Sequence, residues 1–161
     1  MRRLVLAASL LLAATAAQAE DVWQLNSDAA NISAAKSKFR LTAGALEWNN
    51  AKPEATTFAL SLDTTSLGDE ALKAQLDAAH FPEMRVITTN PGRKSGDKIS
   101  LPANVTIHEI TKPVTLQVSY KMTGRQIDMH AEATLKSSDF KLKGGDIALV
   151  MDAPFKPALG Q

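Results

Sequence analysis

Residues 114–120 read Val-Thr-Leu-Gln-Val-Ser-Tyr, with every second side chain apolar and those between polar. Successive side chains of a β-strand point to opposite faces, so such a segment has one dry face and one wet face. The period of two suits a strand and not a helix. The pattern recurs. Phe58, Leu60 and Leu62 share one parity, as do Ile99, Leu101, Ala103, Val105 and Ile107, and then Ile127, Met129, Ala131, Ala133 and Leu135. Ile147, Leu149 and Met151 form a last run whose alternate positions, Ala148 and Val150, are also apolar. Many such strands at close spacing, with polar turns between them, predict an antiparallel all-β domain closed as a sandwich or barrel. Polar residues on the second face place water, not helices, outside it.

The remaining segments fill in this picture. Residues 22–25 read as a short first strand, with Trp23 as a plug at one barrel end, and residues 31–38 as a further strand. The apolar parity changes between Leu41 and Leu46, which predicts a bulge or bend at Gly44. The good helix candidate is residues 69–76, where Leu72 and Leu76 lie on one side. Ser66 stands three positions before Asp69 as a capping signal, and Pro82 stops the helix. A strand at residues 86–89 and a polar turn at residues 91–97 follow. Pro102, which has no amide to donate, marks an edge, a strand start or a bulge. Residues 108–112 read as a connector, Pro113 as the start of the next strand, Gly124 as the centre of a hairpin turn and residues 143–146 as another turn. There is no internal repeat and no linker.

The N-terminus reads differently. Arg2 and Arg3 precede an apolar run over residues 4–17, then Ala17-Gln18-Ala19. A short basic region, an apolar run and a small-x-small site make a secretory signal peptide cleaved after residue 19, and the periplasm is the expected address. The run is shorter than the roughly 20 residues of a membrane span, and no later stretch could cross a bilayer. Residues 20–161 then form one domain. Without Arg2 and Arg3 the 18 basic residues become 16 against 17 acidic ones, a net charge near −1. With no basic cluster and few aromatics, nothing points to nucleic acid. There are no cysteines, so the fold rests on packing even in an oxidising compartment.

Catalytic motifs are missing. There is no thiol nucleophile and no Gly-x-Ser-x-Gly elbow. His130 falls on the polar face of its strand and reads as a solvated residue. His80 and His108, with Asp77 or Glu109, are too few converging ligands for zinc. The carboxylates Asp63, Asp69 and Glu70 suit a helix start. No enzyme, metal or cofactor is expected. The inner face is left: Phe58, Leu60, Leu62, Val105, Ile107, Val114, Leu116, Val118, Ile127, Met129 and Leu135. Patterning alone does not separate a filled barrel from a hollow one. Small inward residues, Ala103, Ala131 and Ala133, and few large aromatics tilt the reading toward a hollow one, with Leu72, Leu76 and Phe81 covering a tunnel mouth.

Several stretches resemble the YceI-like family of secreted bacterial proteins. Residues 105–116, Val-Thr-Ile-His-Glu-Ile-Thr-Lys-Pro-Val-Thr-Leu, are similar to the family's strand, short polar connector and Thr-Lys/Arg-Pro-Val strand. Residues 60–66, the helix followed by His80-Phe81-Pro82, and the opening Val22-Trp23-Gln24-Leu25-Asn26 are similar to further family segments. His108-Glu109 stands where the family usually has a glycine after a basic residue. The resemblance implies an extended antiparallel lipocalin-like barrel of about eight strands with one short helix at a mouth. It also implies a lipid with a long polyisoprenoid or quinone-type tail as ligand. Tunnel-lining residues would be the inner-face set together with Leu72, Leu76 and Phe81. The alternative is a non-catalytic structural or stress-related interaction module with a solid core. An edge strand could pair two copies into a homodimer.

Overall fold

The computed structural model describes residues 22–24 and 29–156, so the expected signal peptide lies outside the described residues. In chain order the strands are β1 (Val22–Gln24), β2 (Asn31–Ala34), β3 (Ser37–Lys38), β4 (Arg40–Asn49), β5 (Thr57–Asp63), β6 (Glu83–Thr88), β7 (Arg93–Ser95), β8 (Lys98–Ile107), β9 (Ile110–Thr123), β10 (Gln126–Leu135) and β11 (Ile147–Phe155). All neighbouring pairs are antiparallel, in the order β1-β4-β5-β6-β8-β9-β10-β11-β2-β3, with β7 added beside β8. Only Phe39 separates β3 from β4, and its N–H bonds the Ile32 carbonyl at 2.8 Å. One continuous stretch therefore meets β2 along its start and β5 along its length, and this joins the two ends of the sheet. The result is a nearly closed antiparallel barrel with eight strands around its wall, the all-β class that the alternation predicts and the barrel that the resemblance implies.

Turn chemistry explains why the strands meet where they do. Gly96 and Gly124 take left-handed φ values of 64° and 61° and make the β7–β8 and β9–β10 hairpins, a conformation glycine adopts without a Cβ clash. Two other tight turns use no glycine. Ala35 and Lys36 (φ 48° and 65°) join β2 to β3, and His108 and Glu109 (φ 52° and 63°) join β8 to β9. Consecutive positive φ values are those of a two-residue type I′ hairpin. The expected strand over residues 31–38 is thus a hairpin, and the expected connector at residues 108–112 is only two residues long. Pro113 lies inside β9, not at its start.

Pro102 lies inside β8, where its missing amide costs nothing. Its carbonyl accepts from Thr89 N–H at 3.0 Å, so its main chain faces away from β9. On that side the β6 ladder ends at Ala103↔Thr88 and the β7 ladder at Arg93↔Ser100, which leaves Pro102 between them. The bulge on β4 lies between Leu41 and Ala43, two residues earlier than Gly44. Gly44 marks a close approach instead: a Cβ there would come 3.1 Å from Leu60 Cδ2, which would have to shift slightly.

Alternation produces the core. Along β8, Ile99, Leu101, Ala103, Val105 and Ile107 are buried with half-buried residues between them, and β10 and β11 repeat the pattern. One continuous cluster collects these residues with Leu46, Trp48, Phe58, Leu60 and Leu62. Burying a Leu, Phe or Met side chain is worth about 1.5–3 kcal/mol, which is how a chain without disulfides holds together.

The α-helix among the described residues, α1 (Glu70–Gln75), closes one end. At six residues it is too short to be stable alone. Asp69 caps it by accepting from Leu72 N–H at 3.0 Å. Ser66 does not cap it: its hydroxyl donates to the Asp63 carbonyl at 2.6 Å and accepts from Arg40 N–H at 2.8 Å. Ser37 in β3 accepts from the Gly68 amide at 2.7 Å and from the Asp69 amide at 3.2 Å. Gln75 donates to the Gly145 carbonyl at 2.8 Å, so the helix is tied to β3 and to the loop that leads into β11.

Candidate apolar binding site

The inward side chains meet along the barrel axis. Of the residues expected there, Phe58, Leu60, Leu62, Val105, Ile107, Leu116, Val118, Ile127, Met129 and Leu135 are all buried in the core cluster. Their lumen is packed, not hollow. The cavity inside it has a volume of about 10 Å³ and is lined by Ile32, Leu60, Leu62, Val86, Leu116, Ala131, Leu149 and Met151. That is room for at most one water molecule. The alanines expected to leave space are covered by larger neighbours: Ala131 stands opposite Met151 and Val118, and Ala103 opposite Val114. Ile32, Val86, Leu149 and Met151 belong to this lining but not to the expected set. Their alternation was visible in the sequence, but only the barrel's closure shows which faces converge.

Both ends of the lumen are closed. At the helix end, Leu67, Leu72, Leu76 and Phe140 are all at most 5% exposed. Phe81 differs from the expectation. It is half-buried, lies outside the core cluster, and stacks on the His108 ring at 4.4 Å between centroids and 25° between planes. It lines a surface hollow with His80, Arg85 and Glu109 and does not cover the lumen. At the other end Trp23 pairs across from Trp48, and Trp48 packs on Tyr120 at 4.9 Å and on Phe155 at 5.9 Å. Trp48 is fully buried, and its indole N–H has no hydrogen-bond partner among the described residues.

A groove opens in the barrel wall between β9 and β10. The ladder between them stops at Gln117↔Glu132, although β9 reaches back to Ile110 and β10 runs on to Leu135. Where the strands part there is a cleft of about 610 Å³ with Val114, Ala133 and Leu149 on its apolar side and Gln117, Glu132, Lys136 and Asp139 on its polar side. Val114, expected inside the tunnel, is half-buried and lines this cleft. Nothing in the sequence marks this gap, because the start of β9 at Ile110 reads as a connector and pairing is not readable from alternation.

The histidines hold structure together. His80 Nδ1 lies 2.8 Å from Asp77 Oδ1 on the surface, and this hydrogen bond, with the carboxylate charge, raises its pKa. His108 Nε2 donates to the Leu76 carbonyl. His130 bridges two carboxylates on the outer face, with Nδ1 2.6 Å from Asp152 Oδ1 and Nε2 2.9 Å from Glu132 Oε1. Those two hydrogen bonds, Asp152's first, raise its pKa against a smaller opposing effect of burial. Asp63 is lowered, first by the hydrogen bond from Thr65 and then by Arg40, with burial acting against them. Among the described residues there is no group of three or more metal-capable side chains. No helix among them is long and apolar enough to cross a membrane.

Known proteins share this architecture. A solved structure of Burkholderia cenocepacia BcnA superposes with a TM-score of 0.67 at 16% identity, over 81% of this chain and 98% of that one. A Campylobacter jejuni YCEI protein gives 0.61 at 15% identity, over 75% and 85%. These likenesses show the fold. In sequence, a UPF0312 protein of Pseudomonas putida strain F1 is 28% identical over 116 residues. One of Pseudomonas fluorescens strain SBW25 is 29% identical over 118. Both matches take in 63% of this chain and 60% of the relative's length. The family model described as the YceI-like domain matches residues 17–154, and with the alternating strands and nearly closed barrel already in hand, the chain belongs to the YceI-like family.

Proposed function

We propose that the chain is a secreted periplasmic binding protein, without a catalytic role, for an amphiphilic lipid with a polyisoprenoid or quinone-type tail. The observation that supports it is the lining of the central cavity, eight aliphatic, alanine and methionine side chains with no polar residue among them. Such a site recognises a tail by burial alone, at about 0.8 kcal/mol per CH₂, so ten carbons contribute roughly 8 kcal/mol before ordering costs. The tail must part the core to enter, because a ligand pocket of ordinary size runs to about 300–1,000 Å³. Met84, Met129 and Met151 in the core are the side chains best suited to repack around it. The periplasmic address follows from the basic start, the apolar run and Ala17-Gln18-Ala19.

The volume of about 10 Å³ favours a second reading, a solid-core module that works through its outer surface. The two are separated by purifying the full chain, expressed with its N-terminal segment, without detergent and analysing its organic extract by mass spectrometry. A long-tailed lipid present at close to one per protein supports the first reading. Folded protein that yields no lipid, and takes none up from solution, overturns it in favour of the second.

A further inference from the structure

We propose that the gap between β9 and β10 is a side portal through which an apolar tail reaches the lumen; this rests on the lipid-binding reading above. The groove and the central cavity share a wall. Leu149 lines both, and Ala131 and Leu116 of the cavity lie two positions along their strands from Ala133 and Val114 of the groove. Leu149 and Ala133 are 5% and 7% exposed, so one layer of side chains separates the cleft from the barrel axis.

The ends offer no such route. Leu72 and Leu76 seal one, and Trp48 with Phe155 the other, and each of those plugs is held by packing that entry would break. The gap needs no ladder broken. Continuing the register past Gln117↔Glu132 would oppose Leu116 to Ala133 and Thr115 to Thr134, and neither pair forms. Widening it moves side chains and leaves strand hydrogen bonds intact.

The edge is also chemically set against a partner's strand. Pro102 turns its main chain away from β9, so Thr115, directly opposite, turns its own amide and carbonyl into the gap. Pro113, two residues along on the same side, has no amide to offer. A proline on an open edge blocks strand addition. Val114, Ala133 and Leu149 supply an apolar floor, while Gln117, Glu132, Lys136 and Asp139 make the rim polar, so an amphiphile's headgroup would stay at the wet rim beside the Thr115 main chain and its tail would follow the floor inward.

The test uses the absence of native cysteine. Thr115→Cys and Thr134→Cys together are bridged by a short bis-methanethiosulfonate, which reductant removes. The probe is a farnesyl chain carrying a dansyl fluorophore, with uptake followed by stopped-flow fluorescence. Bridging is expected to slow uptake about tenfold or more, as closing a gate does, and reductant to restore it. A control bridge on the paired outer positions Thr106→Cys and Thr111→Cys leaves the rate unchanged. Equal uptake by the bridged and released forms overturns the portal while the lipid-binding reading stands. A wild-type protein that takes up no probe overturns both.

Discussion

His108, at the tip of the β8–β9 hairpin, donates from Nε2 to the carbonyl oxygen of Leu76, the residue that ends α1. A turn in one hairpin thereby satisfies a free carbonyl at the end of a helix that cannot stand alone. The Phe81 ring stacked on His108 keeps it in place. His108→Ala is expected to lower the stability of the whole domain by about 1–2 kcal/mol in urea unfolding. An unchanged midpoint would show that the helix end is held without it.

The filled lumen can be tested by adding volume. Ala131 is buried beside a cavity of only about 10 Å³. Ala131→Leu forces extra methylenes into that space and is expected to cost about 1–3 kcal/mol. In a hollow barrel the same substitution would be neutral or stabilising, so thermal unfolding of this variant decides between the two pictures.

His130 makes stability depend on pH. Its folded pKa is raised above 6.5 by Asp152 and Glu132, so the folded state favours the protonated ring. The contribution is full below pH 6.5 and is lost as pH rises through the higher folded value. The ring is 42% exposed, so solvent screening keeps the effect near about 0.5 kcal/mol. Unfolding curves on either side of that window should differ for the wild type, and the difference should shrink in His130→Gln.

Asp63 acts in the opposite direction. Its carboxylate accepts from Thr65 Oγ1 and from Arg40 Nη2, both at 2.5 Å, and its folded pKa lies below 3.8. The stability it adds is present above that value and disappears as pH falls through the lower folded one. Asp63→Asn is expected to cost about 2 kcal/mol near neutral pH and much less in acid, measured by denaturant unfolding at both.

Glu109 sits at φ 63° with an exposed side chain. A left-handed conformation costs a residue with a Cβ about 1–2 kcal/mol, part of which glycine's own entropy returns. Glu109→Gly should therefore stabilise by about 0.5–1 kcal/mol, visible as a raised melting temperature.

The strands were legible because burial in a barrel wall has period two, and Ile99 to Ile107 or Ile127 to Leu135 show it over nine positions. The turn at Gly124 was legible because glycine announces its own conformation, whereas residues 91–97, expected as one polar turn, hold the short strand β7 before the turn at Gly96. Ala35-Lys36 and His108-Glu109 carry no such sign, since the ladders on either side force these residues into a shape they do not favour. Whether the lumen was hollow could not be read either. Ala131 suggests space until Met151 is known to stand opposite it, and that is a fact of register between distant segments. Phe81 looked like a tunnel cover by its place after the helix, but the positive φ at Asp77 turns the chain and the ring comes to rest on His108.

Trp48 makes the protein its own optical gauge. The two tryptophans, Trp48 and Trp23, face each other across one strand pair at the end opposite the helix, and both are shielded from water. Their emission belongs at short wavelength and reports on that end alone. A guest chain threading as far as Phe155 would shift it, whereas one halting near the helix would leave the spectrum untouched, so a cuvette measurement reads how deep an occupant sits.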